Sequence, residues 1–256
     1  MGLSAIFADW KTAAWRRFHI RLKEPMHSEP RLPAAAIFDM DGVLVDSNPF
    51  HLQKWIDLLN EHQIPFDREE LARIVLGPRN RTPIRHYFGD SLSETEVHQL
   101  SEELEEKYRA AIRPHAKPLP GLEPLIKELH QADIPMAVAS AAMRKNIEFM
   151  ADVLELRPYF HCLICGEEIP HSKPDPAIYL KAAAALEADP AGCVAFEDSF
   201  VGVEAVKRAG MKCVAVASTF PLEELRQKTR ADLIVTSFEG LHLKTLQSLF
   251  SAVSGG

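Results

Sequence analysis

Two aspartates, Asp39 and Asp41, stand two positions apart in the apolar stretch IFDMDGVLVDS, residues 37–47. On a strand, side chains two apart leave the same face, so the two carboxylates share one surface. Like charges about 4 Å apart repel by roughly 4 kcal/mol at an effective dielectric near 20. A helix cap or an Asx turn accounts for one such aspartate but accounts poorly for two on one face. Gly42 follows, and glycine permits a sharp turn that keeps both carboxylates facing a crevice. Asp46 is a candidate cap or supporting partner.

Other polar residues close apolar runs in the same way. Ser140 ends VAS, Lys173 lies in HSKPDPAIYL, and Glu197 and Asp198 lie in VAFEDSFVGVEAVKRAGM. Each has a plainer reading. Ser140 can cap a helix, and Lys173 can be a solvated loop lysine that Pro174 holds extended. Asp175 can cap the next helix with Pro176 at its first position, and Ser199 or Asp198 can cap the one after Glu197. Together they share a better one. Acids gathered on one rim call for a hard divalent cation with oxygen ligands, Mg²⁺ above others. With Lys173, such an ion attracts a phosphate dianion. No histidine or cysteine cluster accompanies the acids, which argues against zinc. Cys162 and Cys165 form a CxxC, but inside an apolar run where residues three apart point to opposite faces; core thiols are the reading.

The elements that would position these residues alternate. Apolar β-type runs cover 35–39, 135–140, 161–165, 193–197, 213–217 and 232–236, and helical patterns cover 122–131, 146–154, 176–188, 201–209 and 221–228. Strands buried on both faces read as continuous apolar runs, and the alternation predicts a Rossmann-like, doubly wound parallel α/β sheet. Between the first two strands lie only helical patterns, at 49–62, 68–75, 82–88 and 93–112, with Asn48 as a cap and Pro49 in the first turn. This predicts an inserted all-α cap domain over the carboxyl ends of the strands, where open parallel sheets bind ligands. The expected division is an extension at 1–32, a core at 33–47 and 119–256, and a cap at 48–118.

In the extension, Leu3, Phe7, Trp10, Ala14, Phe18 and Leu22 recur at helical spacing among Lys11, Arg16, Arg17, Arg21 and Lys23, until Pro25, Pro30 and Pro33 break the pattern. A packed surface helix is the reading, with a targeting peptide or membrane-surface helix as the alternative; a signal peptide's continuous apolar segment is missing. The 256 residues are 46% hydrophobic and 25% charged, ordinary for a globular chain. A net charge of −7 argues against a nucleic-acid partner, which calls for a basic face. No run approaches 18 apolar residues, so no transmembrane helix is expected. Four cysteines do not make a secreted disulfide framework. A cytoplasmic monomer is expected, with organelle targeting by residues 1–30 as the alternative.

Four motifs in order, DMDGVLVD, the serine of VAS, SKPDP and EDSFVGVEAVKRAGM, carry a resemblance over residues 33–250. The chain resembles the haloacid dehalogenase superfamily of aspartyl-phosphate phosphotransferases, in its β-phosphoglucomutase-like branch with a helical cap. The resemblance implies Asp39 as nucleophile and Asp41 as general acid and base. It implies Mg²⁺ on Asp39, the backbone carbonyl of Asp41 and Asp198, with Glu197 in support. Ser140 and Lys173 would hold the phosphoryl oxygens. In the cap, His51 and Trp55 match the mutase, whereas Arg79 and Arg81 stand in a shifted register and Ala142 replaces a serine. The two arginines are candidates for a distal anionic group. The expected activity is therefore a Mg²⁺-dependent phosphatase of a small phosphorylated metabolite, a sugar phosphate. A phosphohexomutase is the alternative, and a non-catalytic regulator is the least favoured reading.

Overall fold

A computed structural model describes residues 31–75 and 80–251. The helical pattern of residues 3–22 and Arg79 lie outside the described residues. Six parallel strands form one sheet: β1 (Ala35–Phe38), β2 (Met136–Ser140), β3 (Cys162–Cys165), β4 (Cys193–Glu197), β5 (Lys212–Val216) and β6 (Leu233–Val235). Their spatial order is β3-β2-β1-β4-β5-β6. The chain winds outward from β1 on one side, then returns past it to start β4, so strand order reverses between β1 and β4. A crevice opens at the carboxyl ends at such a point.

Side-chain alternation divides the core into two layers. Ala36, Phe38, Val138, Val194, Phe196 and Val214 face helices α5 (Leu122–Gln131), α6 (Arg144–Val153) and α10 (Leu243–Ser248). Phe38 stacks on Phe196 with centroids 4.5 Å apart and meets Phe160 edge-on at 5.9 Å. On the other face stand smaller residues: Ala35, Ile37, Ala137, Ala139, Ala195 and Ala215. They let α7 (Ala177–Ala185) and α8 (Phe200–Arg208) approach closely, with Ala182 and Ala183 at the contact, and α9 (Leu222–Lys228) joins through Leu225. Cys165 lies in the first layer and Cys162 packs against the second, as opposite faces of one strand.

The insert after β1 holds α1 (Asn48–Glu61), α2 (Arg68–Val75), α3 (Arg81–Phe88) and α4 (Glu94–Ile112). It has its own apolar cluster of Trp55, Leu58, Leu59, Leu71, Ile84, Val97 and Leu104. Ser93 and Glu96 close α4 with a reciprocal capping box. Asn48 does not cap α1: it is the first helical residue, Ser47 holds the cap position, and both side chains are drawn into the site instead. Asp46 is exposed, neither cap nor partner. The short α10 has no counterpart in the sequence reading, because six residues with one buried leucine, Leu246, give too little periodicity. Among the described residues, no helix is long and apolar enough to cross a membrane.

The aromatic stack supports β1 and β4 directly beneath the rim. Phe38→Ala should lower unfolding free energy by about 3–5 kcal/mol in a urea titration. Leu180→Ala, at a position 40% exposed, should stay within about 0.5 kcal/mol of the parent.

Candidate active site

Asp39 is the residue after β1, and its N–H donates to the Phe196 carbonyl of β4 at 3.0 Å, which sets it beside Glu197 and Asp198. The chain then turns sharply: the Gly42 N–H donates to Val45 O and the Leu44 N–H to Met40 O, both at 2.8 Å. Gly42 has φ +73°, and an added Cβ would lie 2.0 Å from Asp198 Oδ2. Glycine is required there twice over, by backbone conformation and by the approach of the acid.

Lys173 joins the two strand ends. Its Nζ lies 2.9 Å from Asp39 Oδ2 and 2.5 Å from Glu197 Oε1, and the Lys173–Pro174 peptide is cis. Glu197 is fully buried, and its acceptors are occupied. Oε1 takes the Tyr179 hydroxyl as well as Lys173, while Oε2 takes the N–H groups of Asp198 and Ser199 and the Ser199 hydroxyl. The backbone of α8 presses against it at Gly202, where an added Cβ would lie 1.9 Å from the carboxylate. Ser199, rather than Asp198, caps α8 through the Gly202 N–H.

Burial acts on every group here; it prevails at Asp39 and Asp198, and the neighbours prevail at Glu197 and Lys173. Burial, joined by Glu197 and Asp198, holds Asp39 well above the usual carboxylate range against the pull of Lys173. Burial and Glu197 push Asp198 up to about 7. Burial also disfavours charge on Glu197 and Lys173, but their mutual attraction and hydrogen bonds win. Glu197 ends lower and Lys173 higher than normal. Oxygens of Asp39, Glu197 and Asp198 lie within 4.8 Å of one another. An all-oxygen, electron-rich donor set whose members resist ionising together fits a hard divalent cation. The Asp41 carboxylate is not in this group.

Asp41 faces the cap instead. It accepts from the Ser47 hydroxyl and lies 3.0 Å from His51 Nε2 on α1. The Tyr108 ring stacks on His51, with centroids 4.2 Å apart and planes 15° off parallel. Burial alone would raise the Asp41 pKa; His51, Ser47 and Lys54 outweigh it and leave it lowered. Ser140 is buried, and its Oγ accepts the Ala142 N–H at 3.1 Å, a local turn and not a helix cap, since α6 starts at Arg144.

Core rim and cap enclose a cavity of about 530 Å³. Asp39, Asp41, Ser140, Lys173 and Asp198 line its floor, and His51, Lys54, Asn80 and Glu105 its roof. Arg81 reaches the edge, but its two terminal nitrogens are paired with Glu94 at 2.7 and 2.8 Å. Trp55 is packed in the cap core and lies away from the cavity wall. Sequence reading missed Ser47, Lys54, Glu105 and Thr219. Lys54 had a signal, since position i+3 from His51 shares its helix face. Thr219, whose hydroxyl donates to Asp198 and receives the Asn48 amide at 2.6 Å, follows a strand end as the other rim residues do.

The haloacid dehalogenase-like hydrolase family model matches residues 36–216. The 5-amino-6-(5-phospho-D-ribitylamino)uracil phosphatase, chloroplastic, of Arabidopsis thaliana is 30% identical over 84% of the chain. The chain spans 57% of that relative's length. The fructose-1-phosphate phosphatase of Escherichia coli is 30% identical over 72% of the chain and 96% of its own length. Among solved structures, the β-phosphoglucomutase of Clostridium difficile superposes with a TM-score of 0.73 at 26% identity, covering 85% of this chain and 96% of that one.

The Glu197 anchor can be tested without a substrate. Gly202→Ala should force the carboxylate or α8 to move and cost about 1–3 kcal/mol of stability, read as a lower midpoint in urea. Val201→Ala, one residue away and 48% exposed, should not.

Proposed function

The chain belongs to the haloacid dehalogenase-like hydrolase family, and on that premise we propose that it is a Mg²⁺-dependent phosphatase of a sugar phosphate working through an aspartyl-phosphate intermediate. The observation that carries the reading is the division of labour between the paired aspartates. Asp39 is held by Lys173 within the acidic cluster, and Asp41 is held two residues away by His51 and Ser47.

In this reading an Asp39 oxygen attacks phosphorus and the bond to the leaving oxygen breaks. Asp41 donates the proton that oxygen needs, then takes one from the water that attacks the aspartyl phosphate, releasing phosphate. In the free site Asp41 is lowered, which favours its role as base; a phosphate dianion arriving beside it adds negative charge and raises its proton affinity for the first step. The Ser140 hydroxyl and Lys173 ammonium donate to phosphoryl oxygens, and Lys173 offsets charge on Asp39. Mg²⁺ bound by Asp39, Asp198 and the Asp41 carbonyl would supply positive charge to the phosphoryl group. Glu197 supports this arrangement by fixing Lys173 and the backbone of Asp198.

A phosphohexomutase on the same scaffold is the second reading, favoured by His51 on Asp41 and by the likeness to a β-phosphoglucomutase. It needs cap cations for a second phosphate, and Arg81 is committed to Glu94. Four free cysteines support a cytoplasmic setting, and a monomer suffices, since core and cap of one chain enclose the cavity.

Purified protein with Mg²⁺ should release phosphate from fructose 1-phosphate or another sugar monophosphate. Chelation should abolish release, and added Mg²⁺ should restore it. Asp39→Asn should lower kcat by at least about a thousandfold. Isomerisation of β-glucose 1-phosphate without net phosphate release would overturn the phosphatase in favour of the mutase. His51→Ala should reduce kcat by about tenfold to a hundredfold, a smaller loss than Asp41→Asn, for which about 10²–10⁴ is expected. Stopped assays over the same substrates read both.

A further inference from the structure

Above the phosphoryl site, the cavity wall contains a buried ion pair. Lys54 and Glu105 are 4% and 5% exposed, and their Nζ and Oε1 lie 2.6 Å apart. The Asn80 amide donates to Glu105 Oε1 at 2.5 Å and the Asn146 amide donates to Oε2. Ser101 receives the Asn80 amide at 3.3 Å. All five residues line the cavity. A buried ion pair is a poor way to gain stability, because desolvation consumes most of the attraction and apolar side chains would pack as well. Its place in a cavity wall asks for a ligand.

We infer that Lys54, Glu105, Asn80 and Asn146 form the leaving-group subsite, and that this subsite takes an uncharged, hydroxyl-rich group and discriminates against a second anion. The inference rests on the phosphatase reading and names its substrate class: the monophosphate of a polyol or neutral sugar.

Position supports it. Lys54 follows His51 by three residues on α1, so the subsite begins about one helical turn, roughly 5 Å, from the side chain that holds Asp41. Atoms just beyond the phosphoester oxygen reach that distance. The donor and acceptor inventory supports it too. Lys54 has three N–H donors and gives one to Glu105; Glu105 Oε2 takes only the Asn146 amide and keeps an acceptor direction. A cationic donor beside an anionic acceptor matches neighbouring hydroxyls, each of which gives and takes a proton.

Charge then decides between leaving groups. A phosphate or carboxylate entering here meets the Glu105 carboxylate. Four described cations of the cap already have partners: Lys54 pairs with Glu105, Arg81 and Arg85 with Glu94, and Arg109 donates to the side-chain oxygen of Asn146. The subsite also straddles two domains. Asn146 belongs to the core helix α6, and Lys145 beside it pairs with Glu102 of α4 at 2.8 Å. The acceptor face is thus complete only with the cap down on the core.

The test compares kcat/KM for glucitol 6-phosphate, fructose 1,6-bisphosphate, phosphoglycolate and acetyl phosphate, the last too short to reach Glu105. Glucitol 6-phosphate should exceed the bisphosphate and phosphoglycolate by at least about tenfold. In Glu105→Gln, the ratio of glucitol 6-phosphate to acetyl phosphate should fall by about tenfold to a hundredfold, the range for hydrogen bonds to charged groups, with the loss mainly in KM. The double variant Lys54→Met with Glu105→Met leaves no charge unpaired and should show the same loss if the single variant does not fold. An unchanged ratio in the folded variant, or a bisphosphate turned over as well as the polyol phosphate, overturns the inference and leaves the phosphatase standing. If no substrate is turned over, the phosphatase reading fails instead. Calorimetry on the Asp39→Asn protein with Mg²⁺ then decides the subsite: tighter binding of glucitol 6-phosphate than of fructose 1,6-bisphosphate upholds it, and the reverse order overturns it.

Discussion

The acidic cluster of the rim depends on one interaction, the Lys173 ammonium set between Asp39 and Glu197. Three carboxylates lie within 4.8 Å of one another in a buried crevice, and a single side-chain ammonium stands among them. Left alone, they would protonate or push apart. Glu197 is the acid whose charge is favoured: it is the most thoroughly hydrogen-bonded of the three and fixes the lysine in place, and its charge raises the proton affinity of the other two. Asp39 and Asp198 keep the raised proton affinity. The imbalance leaves two oxygen donors poised for a cation and a lysine aimed at whatever anion lies beside Asp39.

The fold makes this arrangement possible by separating what must be small from what must be large. Alanines on one face of the sheet admit α7 and α8 closely, so Tyr179 and Gly202 reach Glu197. Phenylalanines on the other face pack under α5 and α6 and stack β1 on β4. A polar network would lose its partners if either strand end shifted, and close packing resists such shifts. Packing energy far from solvent is in this way converted into the precision of an electrostatic site.

The sequence disclosed those parts whose causes are local or periodic. Lys173, in the loop after β3, was legible through the SKPDP motif. Asp39, Ser140, Glu197 and Asp198 were legible because each terminates or follows an apolar run, and a parallel sheet gathers such ends on one rim. The sheet and the four cap helices were legible for the same reason. Pairings across long separations were not. Nothing in the sequence joins Lys54 to Glu105, 51 residues on, or tells that Asn146 crosses from the core to meet them. Arg81 looked like an anion receptor because Glu94, thirteen residues away, becomes its partner only when α3 packs on the start of α4. Asn48 looked like a capping residue by type, and Ser47 carried no signal. In the fold, contacts to Thr219 and Asp41 claim their side chains.

The paired aspartates gain their difference from this same distribution of contacts. They are two residues apart on one backbone, yet Asp39 is governed entirely by the core, whereas Asp41 is governed by α1 through His51 and by α4 through the Tyr108 ring stacked on it. Among the described residues, the cap touches the acidic cluster only through Asn48 and Thr219, whereas on Asp41 it acts directly through His51. Glu105 of α4 and Asn146 of α6 likewise meet across the boundary between insert and core. Proton transfer and leaving-group contact thus both draw on residues from the insert and from the core.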